Sequence, residues 1–315
     1  MIGRTLPLVA LLLALAAAPL AWAAPPGAGC GARDLGEAIE RAREAGGGPF
    51  RLGVECRADA GMRRLEVFPS GVAIWDRSSQ IALGAETRAA LLEALATHRF
   101  ASLAERYGGP SGAQRGPLRV SCRVTLEIGG FTRSSVQFAD GEQSAALAGL
   151  AAALLDRVAP LAKEGVTAAD LADGLSKLAS GALAPEAFEL RFVRLPADGR
   201  GGPGSLLRLE GLEFATRAYE PGREIGAEET RALDRERFSA LAATLVGARL
   251  AQLPVNLWSD EYLELEVGVL QHRQTVTARR FGRLGPGSDA DARERFRAVV
   301  AALDALASTS APTTP

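Results

Sequence analysis

The sequence is poor in the residues that most chemistry needs. It has two histidines, His98 and His272, far apart in the chain, so no His-x-x-x-His or comparable zinc spacing can be built. Gly-x-Ser-x-Gly and Ser-x-x-Lys are both absent, which removes two common serine-nucleophile signatures. An excess of one charge is also missing. Lys plus Arg number 36 against 37 Asp plus Glu, a formal net charge of -1, which offers no field to nucleic acid or to an anionic membrane. Lysine occurs only at Lys163 and Lys177 while arginine is abundant, a bias attributed to GC-rich bacterial coding rather than to function. Beyond the N-terminus no segment approaches the ~18 to 20 consecutive apolar residues that cross a bilayer. The reading is of a protein that is not an enzyme, with no catalytic residue, metal ligand or cofactor to name.

Export is the first positive sign. Arg4 precedes the apolar run Leu6 to Ala18 and then Ala21-Trp22-Ala23, the three regions of a secretory signal peptide. Residues 1–23 are therefore expected to be removed and the protein to be periplasmic or secreted. Cys30 follows Gly27-Ala28-Gly29, and small residues before a cysteine open an alternative fate, a lipid anchor at Cys30. The Ser, Thr and Pro of 308–315 have nothing to bury and predict a disordered tail.

The remaining length suits about two domains, and the sequence echoes itself at long period. Asp34-Leu35 and Asp170-Leu171 each open a helical stretch, followed by Phe50-Arg51-Leu52 and Phe188-Glu189-Leu190. Gly84 to Leu91 is echoed by Gly226 to Leu233, Phe100 to Leu103 by Leu250 to Leu253, and Thr125 to Gly129 by Glu264 to Gly268. Two units are predicted, 31–161 and 167–307. Each is expected to be α+β, an antiparallel sheet packed against helices.

Within the first unit Leu52/Val54/Cys56, Leu65/Val67 and Val72/Ile74 alternate as strands do, with turns at Asp59-Ala60-Gly61 and Pro69-Ser70-Gly71. Leu91, Leu92 and Leu95 mark a middle helix. Val120, Cys122, Val124, Leu126 and Ile128 point one way before Gly129-Gly130 turns the chain into Phe131 to Phe138. A closing helix is predicted to start at Asp140, with Gln143 completing a capping box and Leu147, Leu150, Leu154 and Val158 as its stripe. Its counterpart starts at Ser288 and Asp291, ahead of Phe296, Val299, Val300, Leu303 and Leu306.

This order of strand pair, helix, hairpin and helix resembles the emfourin-like inhibitors of thermolysin-type metalloproteases. The residues that carry the resemblance are Phe100 to Leu103, Leu126 to Phe138 and Asp140-Gly141, with Leu250 to Pro254 and Leu263 to Val276 in the second unit. The second unit lacks the Asp-Gly, and the helices at Asp34 and Asp170 lie outside the family pattern. The resemblance implies a protein partner, a secreted metalloprotease, and inhibition as the activity.

Candidate site residues are few. His98 and His272 read as surface histidines. Glu127 and Glu266 read as matching positions on a solvated strand face, and the glycine-rich pieces near 108–112 and 199–204 as loops. Cys56 and Cys122 share the inward phase, so an oxidising compartment would join them if their strands are neighbours. Two small buried thiols, or a Cys30 to Cys56 bond, are the alternatives. Val255, Asn256, Leu257 and Trp258 stand in an apolar loop between a helix and a hairpin, with Tyr107 near the corresponding place in unit one. Core packing of Trp258 competes there with a contact surface. The function expected is an exported, non-enzymatic binding protein, with a structural or assembly factor of the bacterial envelope as the alternative.

Overall fold

The computed structural model describes residues 32–58, 61–108, 120–139, 144–196, 203–221, 223–280 and 289–308. The predicted signal peptide, Cys30, Asp140-Gly141, Gln143, Ser288 and residues 309–315 lie outside the described residues.

The chain is α+β, with a sheet and its helices in each half. In the first half α1 (Ala32–Glu44) leads to β1 (Phe50–Ala58), β2 (Gly61–Val67), β3 (Val72–Trp75) and β4 (Ser79–Ala82). Then come α2 (Ala85–Thr97), β5 (Arg106–Tyr107), β6 (Val120–Ile128), β7 (Phe131–Phe138), α3 (Ala145–Ala162) and a short β8 (Val166–Thr167). The second half runs α4 (Leu171–Ala179), β9 (Phe188–Leu195), β10 (Gly204–Glu210), β11 (Glu213–Glu220) and β12 (Arg223–Ala232). It ends with α5 (Arg235–Gly247), β13 (Asn256–Trp258), β14 (Tyr262–Val269), β15 (His272–Arg279) and α6 (Ala290–Ser308).

The first sheet has the order β5-β7-β6-β1-β2-β3-β4-β8, and the second, read from the same side, β13-β15-β14-β9-β10-β11-β12. Apart from β8 the two orders coincide element for element. Neighbours are antiparallel except at one edge of each sheet, where β5 lies parallel to β7 and β13 parallel to β15. The reason is local. A 3-10 turn, Phe100–Ser102 or Leu250–Gln252, follows the middle helix, and each is entered by an arginine in the left-handed region, Arg99 and Arg249, both at φ 49°. The chain then meets the sheet beside the second strand of the hairpin.

Alternation places one face of each sheet in a core. Leu52, Val54, Leu65, Val67, Val124 and Leu126 pack beneath Leu91, Leu92 and Leu95 of α2 and Leu147, Leu150, Leu154 and Val158 of α3. The second core gathers Leu190, Phe192, Leu207, Leu209, Leu265 and Val267 beneath Phe238, Leu241, Phe296, Val299 and Leu303. α3 is also long and apolar enough by composition to cross a membrane, but its leucine stripe is fully buried in this core. At Gly129 and Gly130 the hairpin turn takes φ 57° and 83°, a left-handed pair that side-chain-bearing residues resist.

Several expectations are corrected. Gly226 to Leu233 is not the counterpart of the helical Gly84 to Leu91. Its residues through Ala232 form the outer strand β12, paired to β11 from Glu213↔Ala232 to Thr216↔Glu229. The second middle helix begins later, behind Asp234, whose side chain accepts from Arg237 N. Val72 and Ile74 lie in a strand as expected, on the face away from the first core. The first-core positions in β3 are Ala73 and Trp75, opposite Val67 and Leu65, while Ile74 joins the second core with Phe68 and Val72 packed on it. The closing helix α3 starts behind Ser144, whose hydroxyl accepts from Leu147 N, four residues after the predicted start.

The halves are joined as well as similar. Thr167, the expected start of the second unit, belongs to β8, which pairs with Ser79 and Gln80 of β4. Gly165 permits this, because a Cβ there would lie 2.9 Å from the Gln80 carbonyl oxygen. The Gln80 side chain in turn accepts from Ala184 N at 2.6 Å.

Candidate functional site at the Trp258 edge

Val255 to Trp258 is a strand edge rather than a loop. Thr277 N donates to the Val255 carbonyl at 2.7 Å and Ser259 N to that of Arg279 at 3.2 Å. Between these bonds Asn256, Leu257 and Trp258 pair with Thr277, Ala278 and Arg279. Alternation within the strand separates Leu257 from Asn256 and Trp258, and Val255 precedes the strand. Leu257 is 1% exposed in the second core, while Val255 is 60% exposed and Asn256 faces solvent. Trp258 is half-buried, with the Arg293 guanidinium 5.7 Å from its ring centre. Packing therefore claims Leu257 wholly and Trp258 only in part.

Tyr107 takes the matching place in the first half. Val136 N donates to the Glu105 carbonyl at 3.0 Å, as Thr277 does to Val255, so Glu105 matches Val255 and Tyr107 matches Leu257. The Tyr107 hydroxyl accepts from Ala104 N at 3.0 Å and its ring packs on the first core. The two places lie on edge strands of different sheets, and equivalence is all that links them.

Trp258 borders a cleft of about 400 Å³ between α6 and the strand ends, lined also by Arg194, Asp260, Glu261, Phe296, Arg297, Val300 and Asp304. Arg194 forms a double hydrogen bond with Asp304, at 3.0 and 3.1 Å, and reaches Glu261 at 3.3 Å. Arg280 pairs with Asp260 at 2.8 Å. This rim is charged but internally compensated. Close by, Tyr262 donates to Glu264 at 2.6 Å, and Glu264 also holds Arg191 at 2.7 Å. The bond to Glu264 is the main reason the Tyr262 hydroxyl is pushed up to about 12.

Cys56 and Cys122 are directly opposite in the β1 to β6 ladder, with Cα atoms 4.0 Å apart, and form a disulfide. Opposed residues on neighbouring antiparallel strands bring their Cβ atoms within reach of such a bond. The disulfide lines the counterpart of the Trp258 cleft, a space of about 410 Å³ under α3. Sequence reasoning passed over this cleft. Its signal was the alanine-rich outer side of α3, at Ala148, Ala152 and Ala159.

The remaining candidates are dispersed. His98 ends α2, half-buried, with Gly149 of α3 beside its ring. His272 is not a free surface residue: it is half-buried, with Nε2 2.9 Å from the Ala168 carbonyl. Glu127 and Glu266 both take the outward phase but do not match. The hairpin ends Ile128 and Val269 set Glu127 against Gly268 and Glu266 against Thr125. Among the described residues no three His, Cys, Asp or Glu side chains converge as a metal-holding group. Compared with protein-family models and with curated proteins, the sequence matches none.

Proposed function

We propose that this chain is an exported, non-enzymatic binding protein that meets a protein partner through the β13 edge, with Val255 and Trp258 as contact residues. The observation that carries the reading is the sorting of that segment. Leu257 anchors the strand in the core while an exposed valine before it and a half-buried indole after it flank it on a hydrogen-bonded backbone. A preorganised apolar contact loses little entropy on binding, and tryptophan is favoured at binding hot spots. Export is supported by the N-terminal charge, apolar run and small-residue pattern, and the Cys56–Cys122 bond suits an oxidising compartment.

The resemblance to emfourin-like inhibitors names the partner class, a secreted thermolysin-type metalloprotease. Titrating such a protease with the chain is expected to reduce peptide hydrolysis to a plateau. Trp258→Ala is expected to weaken the effect by tenfold or more, in line with the ~2 kcal/mol loss at a hot spot. Undiminished hydrolysis at large molar excess of folded chain would reject inhibition. Full potency in the Trp258→Ala and Val255→Asp variants would move the contact elsewhere.

A further inference from the structure

The cleft under α3 differs in kind from its counterpart under α6. The buried stripes Leu147/Leu150/Ala151/Leu154 and Phe296/Val299/Val300/Leu303 share one spacing. Ala148 thus matches Arg297, Ala152 matches Ala301, and Leu155 matches Asp304. On the sheet side Cys122 matches Leu263 and Cys56 matches Arg194. In the second half the Arg194–Asp304 pair bridges the two walls. In the first half the same positions are a disulfide sulfur and a leucine, and the space between them is bordered by Trp75, Ala148, Ala151, Ala152, Leu155 and Ala159.

We propose that this first cleft is a binding site for a small amphiphile with a linear aliphatic tail and a carboxylate head. Shape and charge select that class. Ala148, Ala152, Leu155 and Ala159 follow one line along α3, which at 1.5 Å per residue makes a trough roughly 16 Å long. The volume of about 410 Å³ lies in the range of small-molecule sites. The polar groups gather on the sheet wall. Arg63 lies 5.9 Å over the Trp75 ring and pairs with Asp76 at 2.6 Å, which leaves further guanidinium N–H groups to donate. Arg57 also lines the cleft and makes no ion pair among the described residues. Asp76 is already held by Arg63 and by Arg64 N at 2.7 Å. Gln137 and Ser121 bond to each other at 3.2 Å. Among the described residues Asp156 is the single carboxylate lining the cleft, and it stands on the opposite, helical wall. An anionic head is therefore placed against Arg63, which shares the face of Cys56, with Arg57 at the strand end bordering the space, and its tail across the disulfide and the alanine side of α3.

Decanoate and 1-decanol, both below their aggregation limits, test the site by calorimetry and tryptophan emission. The expected result is saturable binding of one decanoate per chain, with an emission change that disappears in Trp75→Phe. Ala152→Phe, at an exposed position that should not disturb folding, is expected to abolish binding, with Ala148→Leu as a second blocking variant. The double variant Arg57→Gln/Arg63→Gln is expected to weaken decanoate at least about tenfold, as loss of a charge-assisted contact does, and to leave decanol unchanged. No saturable decanoate binding overturns the proposal. So does binding that survives both blocking variants in folded protein, or decanol binding as tightly as decanoate.

Discussion

Arg194 stands in the second sheet where Cys56 stands in the first. Each is opposite the inward residue of the neighbouring hairpin strand, Leu263 for Arg194 and Cys122 for Cys56. One backbone position thus holds two ways of fastening the strand end, one to the neighbouring strand and one to the helix above. The first half uses a covalent bond across the ladder, the second an ion pair from Arg194 to Asp304 on the helix. Both members of that ion pair are partly solvated, where such pairs contribute about 0 to 1 kcal/mol. The disulfide is the stronger tie.

The equivalence can be checked by transplanting it. Arg194→Cys/Leu263→Cys places thiols at the register position that carries the native bond, and these are expected to oxidise to a second disulfide without disturbing the first. Peptide mapping under non-reducing conditions reads the outcome directly. Free thiols at 194 and 263 in folded, oxidised protein would show that the two ladders differ in geometry.

How far the sequence foretold the structure depends on which interaction decided each element. Where one face of a strand is buried the period-2 pattern is enough: Leu52, Val54, Cys56, Leu65 and Val67 fall in the core as their phase requires. At Gly226 to Leu233 local pattern and pairing disagree. Ala227-Glu228-Glu229-Thr230-Arg231-Ala232 reads as a helix start, but β11 offers it an open edge, and Glu224 and Glu228 find Arg208 and Arg217 across the strands. Tertiary pairing overrides propensity there. Val72 and Ile74 show a further limit, because only contact between the halves reveals that the outer face of β3 is also covered. The disulfide was legible from phase. The clefts were less so: the alanines of α3 mark the first, while the second is walled by Phe296, Arg297 and Asp304, which leave no such mark.

The segment at the Trp258 edge should separate by residue under truncation. Leu257→Ala removes a side chain 1% exposed and is expected to cost ~2 to 5 kcal/mol of stability. Val255→Ala is expected to stay within about 0.5 kcal/mol. Trp258→Ala, half-buried, should fall between, at roughly 1 to 3 kcal/mol. Urea melts of the three variants check the order. A Val255→Ala loss as large as that of Leu257→Ala would put Val255 in the core and remove it from any contact surface.

Asp173 links the start of α4 to acid stability. Its carboxylate accepts from Lys177 at 2.7 Å and from Ala169 N at 2.9 Å. The Lys177 bond, followed by that to Ala169, holds it below its ordinary value of 3.8. A carboxyl depressed in the folded state stabilises above its unfolded pKa and loses that contribution as pH falls through the folded one. The stability difference between the natural chain and Asp173→Asn is therefore expected to be constant near neutrality and to shrink below about pH 4. Denaturant melts from pH 7 downward measure it, and a difference that grows on acidification would contradict the assignment.

Tyr262 makes the opposite case at the alkaline end. Tyr262 and Glu264 are two apart on β14 and share a face, so the phenol donates to Glu264 at 2.6 Å. Ionising the phenol removes that proton and sets two negative charges side by side, and the hydroxyl is accordingly raised from 10.0 to about 12. In the unfolded chain the same group ionises near its ordinary value. The folded state therefore binds the proton more tightly, and the contribution is fully present below pH 10. It declines as the unfolded chain loses its proton, and is gone once pH passes the folded value near 12. Comparing the natural chain with Tyr262→Phe isolates the contribution of this hydroxyl. The stability advantage of the natural chain is expected to be level up to pH 10, to fall between pH 10 and 12, and to level off above. Urea melts at half-unit steps across that window, paired with ultraviolet titration of phenolate, give both quantities from one set of samples. A difference that stays flat through the window would mean that the Tyr262 to Glu264 bond does not persist in solution.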